Sequence, residues 1–136
     1  MRTPEQILRD STTIAVVGAS RHPSKTAHAV PLQILRHGWR VIPVNPYAEK
    51  IWDQKCYPTL AAIPERVDLV NVFRPSADTP PVAREAVAIG ATALWLQQGI
   101  VSEEARTIAE AAELDYVEDH CIAVERAVRA LSKLTG

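Results

Sequence analysis

The run Thr13-Ile14-Ala15-Val16-Val17 stops at Gly18, opens into Ala19-Ser20-Arg21-His22-Pro23-Ser24-Lys25, and gives way to a helical pattern. A short, continuously apolar run ended by glycine and followed by a helix reads as a buried parallel strand, covered on both faces. The same alternation continues down the chain. Strands are expected at Thr13 to Val17, Arg40 to Val44, Asp68 to Phe73, Ala93 to Leu96 and Tyr116 to Glu118. Strands that alternate with helices of this length form βαβ units. The expectation is therefore an α/β, doubly wound, mainly parallel five-stranded sheet with helices on both faces.

The helices carry their own punctuation. Thr3 and Pro4 suit the N-cap and first position of a short opening helix. A second helix is expected from Lys25 to His37, with Ser24 as N-cap and Gly38 as the stop. Pro31 conflicts with that helix, because it lacks an N–H and should kink it. A long loop from Pro46 to Pro58 leads to a short helix near Leu60 to Ile63. Further helices are expected from Thr79 to Ile89, ending at Gly90, and from Ser102, where Glu103 and Glu104 suit the helix dipole. The last runs from Ile122 to Lys133.

A chain of 136 residues, 47% hydrophobic and 23% charged, is large enough for one domain with a real core, spanning residues 1–136. The formal charge of −1 offers no general basic field for nucleic acid or an anionic membrane. No apolar run approaches the roughly 20 residues that span a bilayer. The start, Met1-Arg2-Thr3-Pro4-Glu5-Gln6, lacks the apolar core of a signal peptide, so a cytoplasmic location is expected. Cys56 and Cys121 are far apart with no Cys-x-x-Cys, which argues against a disulfide or zinc site. His22, His28 and His37 show no metal spacing and read as surface or loop residues. Trp52 lies in the long loop, where it can cover a ligand.

In a doubly wound sheet, ligands bind outside the carboxyl ends of the strands. The first such loop holds Gly18, Ala19 and Ser20, then Arg21 and Lys25. Glycine lets backbone approach a phosphate, and helix-start N–H groups and the two cations supply positive charge. The alternative is a tight turn that binds nothing, with Arg21 and Lys25 in solvent. Neither G-x-G-x-x-G nor G-x-x-x-x-G-K-[ST] is present. Val44-Asn45-Pro46 ends the second strand where an NAD-binding domain carries an acid for the ribose hydroxyls. A stiff Asn-Pro loop can wall an adenosine, or simply turn the chain. Phe73-Arg74-Pro75 ends the third strand, and Arg74 either faces the crevice or pairs with Asp78. Gln97-Gln98-Gly99-Ile100 offers amides and a glycine after the fourth strand. Asp119-His120-Cys121 precedes the last helix, and a packed, inert Cys121 is the simpler reading than an activated thiol. No Ser-His-Asp set, nucleophile elbow or paired strand-end carboxylates stand out, so no catalytic residue is expected.

Laid end to end, these motifs resemble the CoA-binding protein family, the stand-alone relatives of the N-terminal domain of the succinyl-CoA synthetase α subunit. The resemblance covers about Thr13 to Leu131. It rests on Val17-Gly18-Ala19-Ser20, Pro43-Val44-Asn45-Pro46, Phe73-Arg74-Pro75, Trp95-Leu96-Gln97-Gln98-Gly99, and Cys121 with Glu125. The resemblance implies a Rossmann-like fold with coenzyme A as ligand. Gly18, Ala19, Ser20 and Lys25 would sit by its phosphates and Val44, Asn45 and Pro46 on the adenosine side. Arg74, Pro75, Gln97 and Gly99 would line the far side. Stand-alone members typically read Asp-Arg-Cys-Pro before the last helix; here the sequence is Asp119-His120-Cys121-Ile122, so a role needing that arginine does not transfer. The synthetase's phosphohistidine lies in a second domain absent from this sequence, so ligase activity does not transfer either. The expectation is a protein that binds CoA or an acyl-CoA without catalysis of its own. The alternatives are a small NAD(P)-binding oxidoreductase-like protein, disfavoured by Asn45, or a subunit that completes an acyl-CoA ligase with a partner chain.

Overall fold

The computed structural model describes residues 1–135. Five parallel strands form the central sheet: β1 (Thr13–Val17), β2 (Arg40–Val44), β5 (Leu69–Val72), β6 (Ala93–Leu96) and β7 (Asp115–Val117), in the order β2-β1-β5-β6-β7. The chain winds outward from β1 in one direction to β2 and from β5 in the other to β6 and β7. The reversal falls between β1 and β5, and this is where a doubly wound sheet opens a crevice. In register, Val17 lies opposite Val44 on one side and Val72 on the other, so three strand ends reach the crevice level with each other.

The helices are α1 (Pro4–Asp10), α2 (Thr26–Arg36), α3 (Thr79–Ala88), α4 (Glu103–Ala111) and α5 (Ile122–Val128). Alternation along the buried strands sends side chains to two cores. Ala15, Val17, Val70, Val72, Leu94 and Leu96 pack against the alanines of α3 and α4. Ile14, Val16, Leu69 and Trp95 pack against Ile7 and Leu8 of α1, Ile34 of α2 and Ile122 of α5. The small residues Ala83, Ala86, Ala105 and Ala109 let two helices share one sheet face at close range.

The structure corrects several details. Thr3 does cap α1, in a reciprocal capping box with Gln6. The N-cap of α2, however, is Lys25 rather than Ser24, and it contributes no side-chain cap. Pro31 lies inside α2 and is buried there. The loop from Pro46 to Pro58 contains a small antiparallel hairpin, β3 (Lys50–Ile51) with β4 (Gln54–Lys55). Its tip places Trp52 and Asp53 at φ of 53° and 59°, a left-handed pair without glycine and so without the usual hairpin signal. Buried Ile51 and Cys56 anchor the hairpin to the α2 side of the sheet. The expected short helix is a 3-10 turn, Leu60–Ala62. The final helix stops at Val128, short of Lys133. Ala130 takes a left-handed φ of 51°, which turns Leu131 into the core while Lys133 N–H donates to His37 O.

Candidate nucleotide-binding crevice

The crevice is built by three strand ends. The N–H of Gly18 donates to Val44 O at 3.1 Å and the N–H of Phe73 to Val17 O at 2.8 Å, which locks the exits of β1, β2 and β5 together. Gly18 has φ of +87°, and a Cβ there would lie 3.1 Å from the carbonyl carbon and oxygen of Phe73. Only glycine meets both demands without strain.

Asn45 turns out to be a brace. Its Nδ2 donates to Ala19 O at 2.8 Å, its Oδ1 accepts from Tyr47 N–H at 2.8 Å, and its own N–H donates to Tyr57 O at 2.9 Å. The first loop and the β2 exit are therefore one hydrogen-bonded unit. An acid at position 45 has no donor for Ala19 O, which gives the missing acid a structural reason.

A cavity of about 330 Å³ lies beside this unit. It gathers Gly18, Val44, Asn45, Pro46 and Arg74 from the expected set. Sequence reasoning missed Tyr47, Thr59, Val82 and Glu85, which also line it. Tyr47 directly follows Asn45-Pro46 and is 88% exposed, so its ring stands open at the mouth. Val82 and Glu85 are three apart on α3 and share a helix face, a spacing visible in the sequence once the helix is known to border the crevice. Arg74 satisfies both readings offered for it: it lines the cavity and pairs with Asp78 at 3.2 Å, with both side chains about half exposed. Such a pair contributes at most about 1 kcal/mol, so a ligand anion can compete for the guanidinium.

The remaining expected residues are not among those that line this cavity. Ala19 is buried beneath the loop. Arg21 and Lys25 are exposed, and among the described residues neither joins an ion pair. Phe73 is half-buried and Pro75 precedes a 3-10 turn, Ser76–Asp78. Gln97 is buried, and its Oε1 accepts the N–H of Ile122 at 3.3 Å at the start of α5. Gly99 N–H donates to Asp119 Oδ1 at 2.7 Å. Gln97 and Gly99 thus fix the α5 end of the carboxyl edge. Trp52 packs on the His28 ring with centroids 5.9 Å apart and donates Nε1–H to His28 O at 3.0 Å, holding the hairpin to α2.

The two cysteines differ. Cys56 is buried, and burial pushes its thiol above the ordinary range. Cys121 is half-buried at the N-cap of α5 and gives no side-chain cap bond. Its neighbour His120 is engaged elsewhere, with Nδ1 2.6 Å from Glu118 O and its carbonyl accepting Trp95 Nε1–H at 2.9 Å. Among the described residues no group of three metal-ligating side chains comes together, and no helix is long and apolar enough to cross a membrane.

A doubly wound parallel sheet with a glycine-floored loop at its switch point and a cavity beside it defines a Rossmann-like domain. The CoA binding domain family model matches residues 12–127, and the chain belongs to that family. It is 39% identical to the uncharacterized protein YneT of Bacillus subtilis over 124 residues, which is 91% of this chain and 92% of that one. It is 33% identical over 100 residues to acetate–CoA ligase (ADP-forming) II of Archaeoglobus fulgidus; the match covers 72% of this chain but only 15% of the ligase. Among solved structures, a hypothetical protein from Pyrococcus horikoshii superposes with a TM-score of 0.89 at 34% identity, over 93% of this chain and 92% of that chain.

Proposed function

We propose that this protein binds coenzyme A, or an acyl-CoA, at the carboxyl ends of its parallel strands, and that it does so without chemistry of its own. The observation that carries the reading is the placement of the cavity. Gly18, whose missing side chain leaves room for a phosphate beside the loop, lines it together with Asn45, Pro46 and Arg74, and with Tyr47, which is exposed. The cavity's volume, about 330 Å³, suits a nucleoside-sized part of a ligand rather than a whole CoA. The rest of the molecule then extends over the loops toward Gln97, Gly99 and Cys121. Membership of the CoA binding domain family supports the same ligand.

The non-catalytic part of the proposal is supported by how the lining groups are used. The Asn45 amide is spent on Ala19 and Tyr47, Arg74 pairs with Asp78, and among the described residues no lining hydroxyl is hydrogen-bonded to a base. Thermal-shift and calorimetric titrations with CoA, acetyl-CoA, NAD and NADP test the reading. CoA at a hundred times its Kd should stabilise the fold by about 2.7 kcal/mol. Stabilisation by NAD and none by CoA would reverse the assignment. Turnover of acetyl-CoA by the isolated chain would overturn the non-catalytic part.

A further inference from the structure

Pro31 is the sixth residue of the eleven in α2, in the helix interior, where proline is normally excluded. It has no N–H, so the carbonyl of Ala27, four residues back, loses its helical donor. That carbonyl is used: it accepts the backbone N–H of Ser20 at 3.2 Å. One residue further along α2, His28 Nδ1 lies 2.8 Å from Ser20 O, which can only accept, so Nδ1 carries the hydrogen. The Ser20 hydroxyl in turn accepts from His22 N–H at 3.1 Å. Both backbone groups of Ser20 are therefore held by the first turn of α2, and both partners depend on that turn keeping its present course.

The N–H groups that α2 offers to an anion are the first ones. His28 and Ala29 both donate to Lys25 O, which leaves Thr26 and Ala27 open at the helix start. These open groups and the loop that starts at Gly18 must be held in one fixed relation to grip a phosphate together. The Ser20–Ala27 bond sets that relation.

We propose that Pro31 is a positioning residue for the loop from Gly18 to Arg21: by denying Ala27 its helical partner, it assigns that carbonyl to Ser20 and holds the loop in its ligand-ready shape. The consequence for affinity rests on the CoA reading above. Residue 31 touches no ligand in this account. Its effect passes through one backbone hydrogen bond.

The decisive variant is Pro31→Val, which keeps most of the buried volume and restores an N–H at residue 31; Pro31→Ala is the second. Amide hydrogen exchange is measured without ligand, and CoA affinity by calorimetry. Restored competition for Ala27 O should speed exchange at Ser20 by about tenfold, the equivalent of one ordinary hydrogen bond, and weaken CoA binding by a similar factor. Exchange at Val70 and Val72 in the sheet should stay unchanged, which separates the effect from general loosening. Unchanged exchange at Ser20 in both folded variants overturns the latch. Faster exchange with unaltered CoA affinity overturns the positioning role. A wild-type protein that binds no CoA overturns the functional reading instead, and the two failures are separable because the exchange measurement needs no ligand.

Discussion

The side-chain amide of Asn45 donates to the carbonyl of Ala19 across 2.8 Å, joining the exit of β2 to the loop that leaves β1. This bond explains why a position that carries an acid in dinucleotide-binding domains holds an amide here. A carboxylate in the same place turns two acceptors toward each other.

Asn45→Asp should therefore destabilise the protein by about 1–3 kcal/mol, through a lost bond and a carbonyl left facing a charge. Denaturant melts measure the cost. The variant should not gain NAD affinity, since the change breaks the loop that a dinucleotide would need. A variant as stable as wild type would show that the brace is dispensable.

Gly18→Ala should weaken CoA binding and cost roughly 1–2 kcal/mol from the left-handed φ alone, with more from the 3.1 Å approach to the Phe73 carbonyl. Calorimetry on the folded variant separates the two effects. Undiminished affinity would remove the loop from the site.

Removing Arg74 should weaken CoA binding, and neutralising Asp78 should not. Arg74→Ala should lower CoA affinity about tenfold if the guanidinium meets a phosphate with a charge-assisted bond. Asp78→Asn frees that guanidinium and should leave affinity equal or higher. Lys25→Ala belongs in the same series, with dephospho-CoA as the second ligand, so that the residue serving the 3′-phosphate appears as the one whose effect shrinks. If all three variants bind both ligands like wild type, these charges are solvated and the site works through backbone N–H groups.

Alkylation should distinguish the cysteines. Burial both hides Cys56 and pushes its thiol up, so at neutral pH iodoacetamide should modify half-exposed Cys121 well before Cys56. Peptide mass mapping over time reads the order. Bound CoA should slow the reaction at Cys121 if the ligand reaches the start of α5, and leave Cys56 unchanged.

Alkaline pH should expose Tyr116. Its hydroxyl is held by burial and by the bond to Glu118 at 2.8 Å, which push its pKa up. A raised pKa in the folded state gives stability that is complete below the unfolded tyrosine value of about 10 and is lost as pH rises beyond it. Stability should fall from about pH 10 upward in wild type, and more shallowly in Tyr116→Phe. Parallel alkaline limbs would show that Tyr116 does not report this burial.

The βαβ alternation, all five sheet strands to within a residue or so, and the loops at their carboxyl ends were legible in the chain alone. Those features follow from local periodicity, from glycine and proline, and from capping at Thr3 and Ser102, all of which act over a few residues. The family resemblance drawn from Gly18, Asn45, Arg74 and Gln97 was legible for the same reason, since each motif sits at a strand end. The rest depended on partners far apart in the chain. Asn45 became a brace because Ala19 lies across the crevice. Gln97 became a cap for α5. Trp52 was held onto His28 by a hairpin with no glycine at its tip, and Leu131 pulled the chain out of its last helix by finding a place in the core. Pro31 shows the division most plainly. Its lack of an N–H was readable from the sequence as a conflict, but which donor would take the carbonyl it released depended on where the loop of Ser20 came to rest.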